Sequence, residues 1–243
     1  MTAISSISPT QTPPKPEIIF PAGEFWSDEP PVESNLHLQQ IILLITSLEW
    51  LWKQREDYFA AGNLTIYYSP NQKKSEYFRG PDFFVVLGTT RNPKRRSWVV
   101  WQEGGKYPNV IIEIISPSTA QVDREEKKQI YQDIFRTPDY FWFDPESLEF
   151  QGFTLTSGEY RPIEADERGW LWSQELGLYL GIYEDKLRYF SREGELVPTP
   201  EEAALQAKQQ KEYERQQKEL ALQKIEELTA KLQELGINPD EPL

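Results

Sequence analysis

Residues 110–144 constrain the fold more than any other part of the chain. The segment opens with Val110-Ile111-Ile112-Glu113-Ile114-Ile115, turns at Ser116-Pro117-Ser118-Thr119, and ends in Tyr140-Phe141-Trp142-Phe143 before Asp144-Pro145. A pleated strand sends successive side chains to opposite faces, so a run that is apolar at both parities belongs in the middle of a sheet covered on both sides. Glu113 is the exception inside it. Taking a carboxylate out of water costs roughly several kcal/mol even after relaxation, so this acid requires a cation, a hydrogen-bond network or a proton as its partner.

Between the two strands, Asp123-Arg124-Glu125-Glu126 has the acid-x-x-Glu form of a capping box and predicts a helix over about 124–135, ended by Pro138. At four-residue spacing Asp123, Lys127 and Tyr131 share a face of that helix. Upstream, Ile41, Leu44, Ile45, Leu48, Leu51 and Trp52 recur every three or four residues and predict a long helix from Ser34 to about Ala60, with Gly62-Asn63 as its stop. Strands are expected at 64–68, at 83–87 behind the turn Gly80-Pro81-Asp82, and at 98–101 as an addition to the core, with Gly104-Gly105 as a turn. The core order is then helix, three strands, helix, strand.

Two hairpins are expected beyond it, at 148–155 with 160–163 and at 179–183 with 187–190, with Trp170-Leu171-Trp172 packed between them. From Pro200 to Gly236 the composition shifts to Gln, Glu, Lys, Ala and Leu, which are strong helix formers. Ile225, Leu228, Leu232 and Leu235 keep a heptad spacing, too short for an independent coiled coil, so a protruding helix available for pairing in a homodimer is expected. The organisation predicted is an irregular arm over 1–32, containing a short edge strand at 17–20, one domain over 33–198, and a charged helix and tail over 199–243.

Composition narrows the chemistry. The chain has no cysteine and one histidine, His37, which excludes thiol nucleophiles and Cys- or multi-His metal sites and leaves oxygen ligands suited to Mg²⁺, Mn²⁺ or Ca²⁺. The start of the chain is rich in Ser, Thr, Pro and Gln, without a basic stretch or an apolar core, and nothing resembles a membrane span, so cytoplasmic residence with no membrane partner is expected. A net charge of −13 argues against coating nucleic acid by charge alone. Between 71 and 106, however, Lys73, Lys74, Arg79, Arg91, Lys94, Arg95, Arg96 and Lys106 face only Glu76, Asp82 and Glu103, a local reversal of sign that suits phosphate contacts or an ordinary solvated loop.

An acid at a strand mouth and one inside the next strand converge if those strands pair, and a lysine from the following helix can reach the same point. Asp82, Glu113 and Lys127 satisfy this outline. Two carboxylates with a backbone carbonyl such as that of Ile114 would hold Mg²⁺, and Lys127 would orient or deprotonate an attacking water. Each residue also has a plainer reading. Asp82 can be a turn residue, Glu113 and Lys127 a structural ion pair, Asp123 an N-cap and Tyr131 a core side chain.

The phrases Gly80-Pro81-Asp82-Phe83-Phe84-Val85-Val86 and Val110 to Thr119, the set Asp123, Lys127 and Tyr131, and Pro138 to Pro145 together resemble the Uma-type restriction endonuclease family, over roughly 33–190. The resemblance implies an α/β, restriction-endonuclease-like core with a mixed central sheet flanked by helices, here with extra β hairpins and a C-terminal helix. It implies that Asp82 and Glu113 are the metal-binding acids of a PD-(D/E)XK site in an endonuclease using Mg²⁺ or Mn²⁺, with DNA as substrate. The general nuclease pattern has lysine two residues after the second acid, where this chain has Ile115. The family resemblance implies that Lys127 replaces it, with Lys128 as the alternative, and that Glu33 corresponds to a helix acid of some nuclease sites. One extra residue between Tyr131 and Pro138 is expected to alter the loop there. The competing expectation is a catalytically inactive relative acting as a protein-interaction or nucleic-acid-binding module.

Overall fold

The computed structural model describes residues 34–69, 71, 77–115 and 122–234, with the backbone alone at 122–124. The elements follow in the order α1 (Asn35–Leu51), β1 (Tyr58–Gly62), β2 (Ile66–Tyr67), β3 (Phe78–Arg79), β4 (Phe83–Leu87), β5 (Trp98–Val99), β6 (Val110–Ile114), α2 (residues 122–135), β7 (Asp139–Phe143), β8 (Phe150–Thr156), β9 (Glu159–Pro162), β10 (Leu171–Ser173), β11 (Leu178–Tyr183), β12 (Lys186–Phe190) and α3 (Pro200–Glu234). The arm before Ser34, with its expected strand at 17–20, and the tail after Glu234 lie outside the described residues.

The central sheet has the order β1-β4-β6-β7-β8-β9. All its neighbours are antiparallel except β6 and β7, which run parallel in the register Glu113↔Trp142. Only that pair needs a crossover, and α2 supplies it. The two faces follow the parity of β6. Val110, Ile112 and Ile114 pack with Ile41, Leu44 and Leu48 of α1 and with Leu178, Leu180, Leu187 and Tyr189 of the sheet β10-β11-β12. Ile111 and Ile115 pack with Tyr131 and Phe135 of α2 and with Ile66 and Trp98 of the small sheet β3-β2-β5. Both sides of β6 are therefore dry, as the apolar run requires.

The sheet corrects the expected first helix. α1 ends at Leu51, and residues 58–62 form β1, which pairs with β4 in the register Gly62↔Phe83. Lys53-Gln54-Arg55-Glu56-Asp57 interrupt the apolar spacing with five polar residues, and the chain reverses there, with Trp52 closing edge-on against Tyr58 at 5.0 Å between ring centroids. Gly62 ends the strand that this reversal creates. A Cβ on it would run into Ile41 and Ile45, so its bare backbone is what lets α1 lie close on the sheet. The core order survives, but its first strand is β1; Ile66–Tyr67 pairs in parallel with β5 in the small sheet on the α2 side.

The other hairpins turn where turn chemistry predicts. Ser157-Gly158 and Glu184-Asp185 all have positive φ, as two-residue hairpin loops demand. Trp170-Leu171-Trp172 does not merely pack between hairpins, since Leu171–Ser173 is β10 and pairs with β11. α3 starts on a reciprocal capping box: Thr199 N–H donates to Glu202 Oε2 at 2.8 Å, and Glu202 N–H donates to Thr199 Oγ1 at 3.2 Å. The buried Arg188 guanidinium grips Glu202 at 2.6 Å and fixes the base of a helix that has no buried residue. No helix among the described residues is long and apolar enough to cross a membrane.

Candidate active site

Asp82 and Glu113 meet because β4 and β6 pair. The register Phe83↔Ile112, continued by one residue, sets Asp82 opposite Glu113. Pro81 has no N–H to extend the ladder, so β4 stops there and side-chain contacts take over. The Ile114 N–H donates to Asp82 Oδ2 at 2.8 Å, and the Asp82 N–H approaches Glu113 Oε2 at 3.4 Å. The two acids are thus locked into one strand end by each other's backbone.

Glu113 has no exposed surface. Its carboxylate is met from α2 by Lys127 Nζ, 3.1 Å from Oε2, and by the Tyr131 hydroxyl, which donates to Oε1 at 2.6 Å. The helix that delivers these groups is wider than expected. π-helical turns at Val122–Lys127 and Tyr131–Phe135 flank a single α turn at Lys128–Ile130. Wide turns of this kind occur frequently at functional sites. The helix closes with Arg136 at φ 53° and Thr137 N–H donating to the Tyr131 carbonyl at 3.0 Å, a left-handed stop before Pro138.

Lys128 points elsewhere, its amine lying 3.4 Å from the centre of the Phe153 ring, and burial pulls its pKa down. Of the two candidate lysines, Lys127 is the one on Glu113. The side chain of the predicted cap Asp123, the turn at 116–119 and the helix acid Glu33 fall outside what is described.

His37 was not among the residues that sequence reasoning selected for the site. Ser34 caps α1 by accepting from the His37 N–H at 3.1 Å, which aims the first turn of the helix at the mouth of β4. There His37 Nε2 lies 2.9 Å from Asp82 Oδ1. Burial alone would push the Asp82 carboxyl up, but the contact with His37, the His37 charge and the Lys127 charge outweigh it and hold the carboxyl below its usual 3.8. The available signal was slight: a lone histidine one turn into a helix, with nothing in its spacing to connect it to Asp82.

The basic segment is less open than its composition suggests. Arg79 pairs with Glu126 at 2.6 Å, Arg91 with Glu49 at 3.1 Å, and Arg95 grips Glu103 through two bonds of 2.6 and 2.9 Å. Lys106 Nζ sits on the Gly88 carbonyl. Lys73 and Lys74 lie outside the described residues. Much of the local positive charge therefore serves internal pairs.

Among the described residues no group of three His, Cys, Asp or Glu side chains is arranged to hold a metal ion. The centre instead offers two carboxylates, an amine, a phenol and an imidazole, delivered by α1, the mouth of β4, β6 and α2. Such a set can bind a cation through oxygen, orient a water and offset negative charge.

No curated protein matches the chain. A crystal structure described as "a putative nuclease belonging to DUF820 from Anabaena variabilis ATCC 29413" is similar over 61% of this chain and 76% of its own, with 13% identity and a TM-score of 0.44. The sequence profile of the Uma2 family, described as "Putative restriction endonuclease", matches residues 7–188, and the protein belongs to that family.

Proposed function

We propose that the protein is a divalent-metal-dependent endonuclease that hydrolyses DNA phosphodiester bonds, with Asp82, Glu113 and Lys127 at the reacting centre. The observation that carries this reading is the convergence of a second carboxylate and an amine, from separate elements, on a strand-interior acid without exposed surface. A chain that needed only a stable sheet would be served as well by an apolar residue at 113.

The donor chemistry fits a hard cation. The ligands available are carboxylate oxygens, with no thiol in the chain, and Asp82, Glu113 and the Ile114 carbonyl would hold Mg²⁺ or Mn²⁺ with waters completing the shell. When bound, such an ion supplies positive charge that eases deprotonation of water and offsets charge on a phosphate oxygen.

The protein's own residues set the geometry. Hydrolysis forms a bond from a water oxygen to phosphorus as the ester P–O bond breaks, and negative charge builds on the phosphoryl oxygens. The Lys127 amine, held at 3.1 Å from Glu113, is placed to orient that water and to donate to those oxygens. Tyr131 fixes the Glu113 carboxylate from the other side, and His37 does the same for Asp82. Both are positioning residues.

The test is incubation of supercoiled plasmid, linear duplex and single-stranded DNA with Mg²⁺ or Mn²⁺, beside Glu113→Ala. Cleavage by the wild type alone is expected. Equal cleavage by the variant, or none by either protein with either metal, would defeat the reading and leave an inactive DNA- or protein-binding module.

A further inference from the structure

Beside the C-terminal half of α2, aromatic residues of the core cluster on that side border a cleft together with the exposed Tyr77. Tyr68, Tyr77, Val100, Trp101, Tyr107 and Ile134 line a cleft of about 560 Å³. Phe135 packs against two of these rings, with ring centroids 4.8 Å from Tyr68 and 5.0 Å from Tyr107. Tyr77 closes on Tyr68 at 5.9 Å while remaining 43% exposed, and Ile134 is 45% exposed. The Trp101 indole N–H is buried and has no hydrogen-bond acceptor among the described residues.

The cleft is tied to the acid centre by two routes. Along α2, Ile134 stands seven residues from Lys127, about 10 Å at a helical rise. Along the chain, Tyr77 leads through β3 to Arg79, and from there to Asp82. Arg79 and its partner Glu126, next to Lys127, lie close enough to Tyr68 to act on its hydroxyl. Stacked DNA advances about 3.4 Å per nucleotide along one strand, so the cleft is about three nucleotides from a phosphate at Lys127, and fewer where the strand is stretched.

We infer that this cleft takes an unstacked nucleobase from the DNA strand engaged at Asp82, Glu113 and Lys127, which makes single-stranded or locally unpaired DNA the preferred substrate. The inference rests on the nuclease reading for the position of the phosphate. A base presents two flat faces to aromatic rings such as that of the exposed Tyr77, and it reaches such a cleft only when it leaves the duplex stack. The other usual guest of an aromatic cleft is a quaternary ammonium group, so thymidine and tetramethylammonium are to be compared directly.

Binding can be tested without cleavage. Fluorescence anisotropy without divalent metal would compare a short oligothymidylate with a duplex of equal length, for the wild type, Tyr77→Ala and Tyr77→Phe. Tyr77 is exposed, so its replacement leaves the core intact. The single strand should bind more tightly than the duplex, and Tyr77→Ala should weaken it by roughly 5- to 150-fold, the range for loss of one stacked base, while Tyr77→Phe retains affinity. Unchanged single-strand affinity in Tyr77→Ala, equal or tighter duplex binding, or displacement of the oligonucleotide by tetramethylammonium but not by thymidine would overturn the inference. Because no cleavage is read, these outcomes are independent of the Glu113→Ala assay, which tests the nuclease reading by itself.

Discussion

Lys127→Met removes the amine that faces Glu113 while keeping an unbranched side chain, and it should expose how the buried acid is tolerated. Glu113 would remain wholly buried, with the Tyr131 hydroxyl at 2.6 Å and the Asp82 amide at 3.4 Å among its contacts, and would have lost the amine at 3.1 Å. Breaking a buried pair from one side costs about 3–5 kcal/mol, because the remaining charge is uncompensated. The Lys127 side chain keeps 18% of its exposure, so water screens part of the loss and about 2–3 kcal/mol is expected. In a domain of this size each kcal/mol lowers the melting temperature by about 2–4 °C, giving a fall of about 4–12 °C.

The double variant Glu113→Gln with Lys127→Met should lose less than the sum of its singles, since no charge is then left unpaired. A coupling of about 1–3 kcal/mol in urea titrations is the expected result. Loss of less than about 1 kcal/mol in Lys127→Met, or additivity within about 0.5 kcal/mol, would refute the claim that Lys127 holds the Glu113 charge. A metal arm connects this to function. A divalent ion at a hundred times its dissociation constant adds roughly 2.7 kcal/mol to a protein that binds it only when folded. That shift should appear in the wild type and in Lys127→Met and vanish in Glu113→Gln.

Asp82 and Asp139 should answer acid in opposite directions. The Asp82 carboxyl is held below 3.8, so its stabilisation is complete above that value and is lost as pH falls through the lowered pKa; the melting-temperature gap between wild type and Asp82→Asn should close below pH 3.8. Burial raises Asp139 despite the Ser173 hydroxyl at 2.7 Å, so its contribution is present below 3.8 and lost as pH rises through the raised pKa; Asp139→Asn should gain on the wild type as pH rises above 3.8. Glu202→Ala removes the capping-box partner of Thr199 and the carboxylate that pairs with the buried Arg188, and should lower stability by about 1–3 kcal/mol and fray the base of α3, seen as lost helical circular dichroism. Arg95→Ala should lower the melting temperature while leaving DNA affinity within about twofold, because its guanidinium is engaged by Glu103; a large loss of affinity at unchanged stability would return it to the DNA surface.

What was legible in the chain was local. The run 110–115 announced a strand dry on both faces, and the structure covers it with α1 on one side and α2 on the other. Glu113 was visible because it breaks that run, and Lys127 and Tyr131 because they share a helix face toward it. The end of α1 was misread because Phe59, Ala60 and Ala61 continue a helix-compatible pattern, although the five polar residues at 53–57 already broke the apolar stripe. His37 was invisible for a different reason. Its contact with Asp82 depends on how α1 lies across the sheet, which depends in turn on Gly62, and no spacing along the chain encodes that crossing. Composition did not show the pairings of the basic segment: Arg79, Arg91 and Arg95 find Glu126, Glu49 and Glu103, two of them more than 40 residues away in sequence.

The same charges that make the chain acidic do not argue against a DNA substrate once they are located. Residues 144–195 carry twelve acids against five bases, and these belong to the β8 to β12 hairpins and their loops. The proposed reacting centre draws on other elements and pairs its two acids with Lys127 and His37. A buried ion pair is weak as a device for stability, because apolar residues of similar volume are often as good or better. Places where local rules are broken at such expense are where function is expected. Here the rule is broken twice at one strand end, by Glu113 within β6 and by Asp82 facing it across the pair. A structural ion pair accounts for Glu113 with Lys127, but it leaves a second carboxylate, with its own histidine, beside the first; a site built to hold a cation near a phosphate accounts for both.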